Sequence, residues 1–154
     1  MTDIAHAGTV LTMQASVTLA NAPTPITYFP DDTDPFQSAD ITIGDMALGT
    51  NGNVITWSQA SVVEFTIAVI PKSPSHVALA TVFNANVVAP GKLPNNDVIT
   101  LSRVMPDGST VVIKNAKMTG GSPLMNMASS GRVSTVTYTF KAPPVAEVIV
   151  PQLA

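Results

Sequence analysis

The sequence contains no cysteine, which excludes a disulfide scaffold, a thiolate metal site and a cysteine nucleophile. This absence is compatible with synthesis inside a cell, where disulfides are rare. The N-terminal segment lacks a basic region followed by an apolar region, so we predict no signal peptide. Apolar runs are also too short for a membrane-spanning helix, and we expect no membrane association.

Charge is scarce as well. Charged residues make up 11% of the chain, whereas an ordinary soluble domain has about 25%. The seven basic residues do not cluster and the net charge is −3, which argues against tight binding of nucleic acid. Because so few charges leave little to solvate a free surface, we expect other copies or partners to cover much of it.

Residues 53–71 form the most apolar stretch, and between residues 60 and 71 they carry a single charge, Glu64. Alternation predicts a strand with one apolar face made by Val63, Phe65, Ile67 and Val69. Val62, Ala68 and Ile70 make the other face apolar too. A strand that is apolar on both faces is buried on both, so we expect a second layer or another subunit against it.

Other segments show the same period of two. One strand is predicted at residues 11–19, and its inward face consists of Leu11, Met13, Ala15, Val17 and Leu19. Residues 36–48 predict a second strand with a bulge at Gly44. The Asn51-Gly52 turn then gives a hairpin over residues 40–58. Further strands are predicted at residues 97–105, at 110–118 (ended by the glycines at 120 and 121) and before residue 141, where Val136, Tyr138 and Phe140 face inward.

One helix interrupts the strands. Ser73 is a suitable N-cap, Pro74 suits the first helical position, and Leu79, Val82 and Phe83 have helical spacing, which predicts a helix over residues 74–86. About seven strands and one helix predict a mainly β fold, a small barrel or sandwich with a flanking helix. We expect a single domain over residues 1–154, whose apolar extension at 143–154 docks on a neighbour.

The sequence offers no convincing catalytic or metal site. Ser73 or Ser75 could pair with His76, but neighbours on one helical turn seldom give the required geometry, and no GxSxG motif is present. The aspartates at 31, 32 and 34 lack the spacing of a calcium loop and favour a solvated turn. We therefore predict a protein that is not an enzyme, with no metal and no cofactor. Trp57 is interpreted as packing at the root of the hairpin.

Three segments together resemble the tail tube proteins of contractile-tailed bacteriophages, over about residues 36–140. They read DITIGDMALGTNGNVITWSQASVVEFTIAVIPKSPS, DVITLSRVMPDGSTVVIKNAKMTGGSP and SGRVSTVTYTF. The resemblance implies hexameric rings of β-barrels, each with a flanking helix, stacked into a tube within a sheath. The same fold occurs in type VI secretion tubes. The implied partners are further copies, the sheath, the baseplate, the terminator, and the tape measure protein and genomic DNA in the lumen. The implied location is the virion, after synthesis in the host cytoplasm.

The resemblance also suggests roles for residues. The hairpin is expected to contact the next ring through Asp45, Met46, Leu48, Asn51, Gly52, Val54 and Trp57. Ring-forming strands are expected to contain Val63, Glu64, Phe65, Ile67, Val69, Val136, Tyr138 and Phe140. A baseplate or terminator ring with the same fold stays open. The alternative is a monomeric carbohydrate- or protein-binding sandwich on a virion surface, with an aromatic site at Trp57 and Tyr28.

Overall fold

The computed structural model describes residues 8–18, 23–31, 33–106, 108, 110–127 and 129–144. The extension that was expected to dock on a neighbour lies almost wholly outside these residues, and the single domain over 1–154 stays a prediction. The elements are β1 (Val10–Ala15), β2 (Thr24–Ile26), β3 (Phe36–Ser38), β4 (Gly44–Leu48), β5 (Val54–Ser58), β6 (Val63–Val69), α1 (Pro74–Asn86), β7 (Ile99–Val104), β8 (Thr110–Gly121) and β9 (Val136–Ala142).

Seven of these strands form one antiparallel sheet in the order β2-β1-β7-β8-β9-β6-β3, while β4 and β5 pair only with each other. The long strand β8 joins the two halves, because its first part pairs with β7 and its last part with β9. The edge strands β2 and β3 do not pair with each other, so the sheet folds into a sandwich-like form without closing into a barrel. The predicted mainly β fold with one flanking helix is confirmed.

The core lies between the two halves of the sheet and beneath α1. Phe65 on β6 stacks on Phe140 of β9, with ring centroids 5.1 Å apart, and on Phe36 of β3 at 5.5 Å. The apolar alternation predicted for β6 and β9 is confirmed, since the inward side chains of both strands are buried. The helix begins and ends as predicted, with Ser73 as N-cap and with Leu79 and Val82 buried.

Two predicted strands have different boundaries. Residues 36–48 make two strands, β3 beside β6 and β4 beside β5, so Gly44 begins a strand and the predicted bulge there is wrong. A Cβ at Gly44 would lie 2.8 Å from the carbonyl oxygen of Trp57, which explains why glycine suits this close pairing. The glycines at 120 and 121 do not end β8, because the strand continues through a register shift beyond Met118.

The first strand is shorter than predicted. It ends at Ala15, and Val17 is exposed because the backbone N–H groups of Val17 and Thr18 both donate to Asp97 Oδ1 at 2.9 Å. Asp97 is buried, and its other carboxylate oxygen accepts from the Thr18 hydroxyl and from Asn86 Nδ2 at 2.8 Å. One carboxylate therefore ties together the ends of β1 and α1 and the segment that leads into β7.

Asp97→Asn should lower the free energy of unfolding by about 1–3 kcal/mol at neutral pH, since a charged acceptor of several hydrogen bonds is lost. Burial raises the pKa of Asp97, but the hydrogen bonds from Thr18, Asn86 and Val17 outweigh it and leave the pKa below its ordinary value of 3.8. The depressed pKa means that this stabilisation is present above 3.8 and disappears as the pH falls through the folded-state pKa. Urea unfolding from pH 2 to 7 would measure the difference in unfolding free energy between the wild type and Asp97→Asn. Asp40→Asn, at an exposed position, is the control. A difference that is independent of pH would contradict this role.

Gly121→Ala should destabilise the fold by about 1–3 kcal/mol, because an added Cβ would lie 2.7 Å from Cε1 of the buried Tyr138 ring. Gly120→Ala is the matched control, since a Cβ there meets nothing within 4 Å. Thermal unfolding of both variants checks this. Equal melting temperatures for the two would show that the Tyr138 contact does not limit the size of the residue at 121.

Candidate assembly interface

The β4–β5 hairpin is the most exposed element of the described chain. Every residue of both strands is exposed, although the sequence is largely apolar. A turn closes the hairpin, with Gly49 N–H donating to the Asn53 carbonyl at 2.7 Å and Gly52 at a φ of 80°. At its root, Gln59 N–H donates to the Ile43 carbonyl at 2.9 Å. A two-stranded hairpin without further packing is only marginally stable in water, so this element is suited to gaining its packing from a partner.

Cross-strand pairing divides the hairpin into two faces. The face that we name the methionine face carries Met46, Leu48 and Val54, and Leu48 is 72% exposed. The opposite face, which we name the tryptophan face, consists of Asp45, Ala47, Ile55 and Trp57. Exposed apolar surface on both sides of one projecting element is typical of a protein–protein contact.

The exposure of Trp57 differs from the prediction. Trp57 was interpreted as packing at the root of the hairpin, yet its side chain is 46% exposed and lies opposite Asp45. The reason is that β4 and β5 pair only with each other, so no other strand of the described residues covers this ring. Tyr28 is exposed as well, and none of the aromatic contacts in the described part of the chain involves either ring.

The strands expected to form the ring contribute mostly to the core of the chain itself. Among the side chains expected there, Glu64 alone is exposed; Val63, Phe65, Ile67, Val69, Val136, Tyr138 and Phe140 are buried. Glu64 lies on the outward face of β6, directly across from Lys141 of β9. On that face Val62 and Ile70 are also exposed and only Ala68 is buried, so within one chain no second layer covers this face, and its burial against another subunit stays a prediction.

A cleft opens beside β3, where the two halves of the sheet leave a gap. Its volume is about 290 Å³, and its lining includes Thr9, Leu11, Phe29, Asp34, Phe36, Arg103 and Met105. The Arg103 guanidinium lies over the Phe36 ring, 4.9 Å from its centroid. Arg103 Nε and Thr9 Oγ1 are buried and have no hydrogen-bond partner. We name this the Arg103 cleft.

Sequence reasoning missed this cleft, because the basic residues were considered only for clustering and for nucleic-acid binding. A signal was available in the alternation of β7, where Ile99 and Leu101 are buried and Arg103 continues the same face. Arg103 also pairs across the strands with Leu11, a buried residue of β1. A cation on an inward face indicates a recess that the period of two alone could have revealed.

The residues considered for catalysis instead hold the turn between β6 and α1. Ser73 Oγ accepts from His76 N–H, Ser75 Oγ accepts from Thr27 N–H at 2.8 Å, and His76 Nδ1 accepts from Lys72 N–H at 3.0 Å. Burial lowers the pKa of His76, so the neutral ring that accepts this bond is favoured. These side chains are occupied by backbone groups and do not form a nucleophile–base pair.

Among the described residues, no three histidine or acidic side chains lie close enough together to bind a metal ion. Asp31 pairs with Arg132 at 2.8 Å, and this pair holds the pKa of Asp31 below its usual value. The helix of the described chain is too short to cross a membrane.

A solved structure shares this architecture. The anti-feeding prophage cap, described as a tube-terminating cap, aligns with a TM-score of 0.55 and 16% identity over 93% of this chain and 89% of the cap. Two structures of an extracellular contractile injection system (PVC) also align. The sheath/tube terminator gives a TM-score of 0.46 and 15% identity over 86% of this chain and 88% of its own. The sheath-tube complex in its extended state gives a TM-score of 0.45 and 15% identity, over 86% of this chain and 83% of its own. At such low identity the cap supports the fold alone.

Sequence comparison gives the family. A search of curated protein sequences finds no match. A family model described as tail fiber protein gp32 matches residues 2–146. Because this match spans most of the sequence, the chain belongs to the tail fiber protein gp32 family, a family of structural tail proteins and not of enzymes.

Proposed function

We propose that the chain is the subunit of a tail tube, in which hexameric rings stack into a hollow conduit for DNA inside a contractile sheath. The observation that carries the proposal is the β4–β5 hairpin, which is apolar on both faces and exposed throughout. Burying one large apolar side chain contributes about 1.5–3 kcal/mol, so burial of several of them on a neighbouring subunit is a strong drive to assemble. The hairpin reaches the next ring through Asp45, Met46, Leu48, Asn51, Gly52, Val54 and Trp57.

The ring wall is proposed to contain β6 and β9, with their outward face toward the lumen, and to join neighbouring subunits at the free sheet edges. Val62 and Ile70 are exposed just beyond the two ends of β6, where they gain burial against a neighbour. The edge strands β2 and β3 are only three residues long, and their outer backbone groups can pair with a strand of another subunit. The side chains inside β6 and β9 then support the wall from within the core.

Threonines dominate the outward face of the β6–β9 pair, where Thr66 lies opposite Thr139 and Ala68 opposite Thr137. Hydroxyl groups of this kind suit a lumen through which DNA slides, because phosphate is held chiefly by clusters of Lys and Arg. Here Lys141 lies between Glu64 of β6 and Lys117 of β8, so one carboxylate stands beside two lysines and offsets part of their charge. The proposed further partners are the sheath around the tube, the tape measure protein in the lumen, and the baseplate and terminator at its ends. The proposed location is the phage or phage-like particle.

A terminating ring is the second candidate, favoured by the architecture shared with the anti-feeding prophage cap. The two candidates differ in growth, since a tube subunit adds rings indefinitely and a terminator stops after one or two.

Purified protein should assemble as its concentration rises, because the exposed hairpin is buried only between copies. Negative-stain electron microscopy and native mass spectrometry would measure this. Long hollow tubes support the tube subunit, and discrete hexameric rings support the terminator. A compact monomer at all concentrations would overturn both candidates.

Replacing residues 45–57 by a short Gly-Ser turn should abolish assembly and leave the fold intact, because the hairpin adds nothing to the buried core. Circular dichroism and urea unfolding check the fold, and microscopy checks assembly. The matched control is Leu124→Ser with Met127→Ser, which removes exposed apolar side chains outside the hairpin. If the shortened chain still forms rings or tubes, the hairpin is not the contact that drives assembly.

A further inference from the structure

We propose that the tryptophan face of one subunit's hairpin docks in the Arg103 cleft of a second copy of the chain. This inference rests on the proposed function and names the acceptor site that the hairpin uses. The contact joins two surfaces that lack partners within one chain. One is the exposed tryptophan face with the Asp45 carboxylate, and the other is the cleft with the Arg103 guanidinium and the Thr9 hydroxyl.

The cleft has donors without acceptors. Arg103 Nε and Thr9 Oγ1 are both buried without a hydrogen-bond partner, which is rare for buried polar groups and costly. Arg103 makes no ion pair in the described part of the chain, although Asp34 lies in the cleft lining. An acceptor of negative charge brought in by a partner would pair with the guanidinium group where it lines the cleft, since Arg103 as a whole is only half-buried.

The tryptophan face supplies such an acceptor. Asp45 lies opposite Trp57, and its Oδ1 accepts from Met46 N–H at 2.8 Å, which leaves Oδ2 for a partner. Among the other carboxylates of the described chain, Asp97 is enclosed in its own hydrogen bonds, Asp31 pairs with Arg132 and Glu64 faces Lys141. Asp40 is exposed but lies outside the two strands of the hairpin. An Asp45–Arg103 pair would be a charge-assisted contact in a partly dry setting.

The apolar parts of the two surfaces also match. Phe29, Phe36, Leu11 and Met105 line the cleft, and Ile55 and Trp57 flank Asp45 on the hairpin. A cleft of about 290 Å³ lies at the lower end of the range for small-molecule pockets, about 300–1,000 Å³, and suits one or two side chains. Trp57 would add its ring to the cation–π contact that Arg103 already makes with Phe36.

The occupant is a second copy because the chain's own hairpin is exposed on both faces and leaves its own cleft unfilled. Hairpin and cleft are different surfaces, so the contact is head-to-tail. Contacts of this type close into rings or continue as open stacks, which are the two forms that a tube requires. The methionine face stays available for a separate contact.

Charge exchange tests the pairing. Asp45→Lys, an exposed substitution that should not disturb folding, places like charge against Arg103 and should raise the concentration needed for assembly about tenfold or more. Arg103→Glu should do the same, and the two together should restore assembly to within about threefold of the wild type. Asp40→Lys, with the same change of charge outside the hairpin strands, should assemble normally and should not rescue Arg103→Glu.

The outcomes separate the two proposals. If the wild type stays monomeric, the tube function fails and the docking fails with it. If the wild type assembles but Asp45→Lys assembles equally well, or the double variant is no better than Arg103→Glu, the docking alone is overturned.

Cysteine cross-linking gives an independent measurement if Arg103→Glu does not fold, and the natural chain has no cysteine to interfere. Thr9→Cys in the cleft combined with Ala47→Cys on the tryptophan face should give covalent oligomers on oxidation. The control is Thr9→Cys with Thr56→Cys, on the methionine face, which should stay unlinked. Cross-linking of the control pair, or of neither pair, in assembled protein would overturn the proposal.

Discussion

The pairing of β6 with β9 determines the position of nearly everything else in this fold. The two strands pair along their whole lengths, from Val63 opposite Ala142 to Val69 opposite Val136. Their inward rings continue the stack to β3, so that Phe36, Phe65 and Phe140 form one row. Since Arg103 lies over the end of this row, the aromatic packing of the core also shapes the cleft at the surface.

The β4–β5 hairpin, in contrast, does not pack into the core. It is made largely from apolar residues, yet the described part of the chain has no second layer to cover them. In the proposed tube, the packing of this hairpin would be completed only in the assembly, and stability would then depend on the concentration of subunits. The scarcity of charge is consistent with a subunit that is surrounded by others.

Membership of a structural tail family agrees with how this chain uses its polar groups. His76, Ser73 and Ser75 hold one turn, and Asp97 joins the ends of three segments. Reactive side chains are thus used to fix the backbone, which a rigid building block requires. Among the described residues, the hairpin, the sheet edges and the Arg103 cleft are left without partners, and all three are suited to contacts with protein.

The sequence by itself determined the mainly β class, the helix from Pro74 to Asn86 and the inward faces of β6 and β9, because period and capping are local properties of the chain. It also predicted, from the scarcity of charge, that other copies or partners cover much of the surface. Only the tertiary structure decided that β1 ends at Ala15, because the Asp97 carboxylate that stops it lies about 80 residues away. The tertiary structure alone also decided that Trp57 is exposed and that Arg103 lies in a cleft. The reason is that the burial of a side chain depends on which distant strand lies over it.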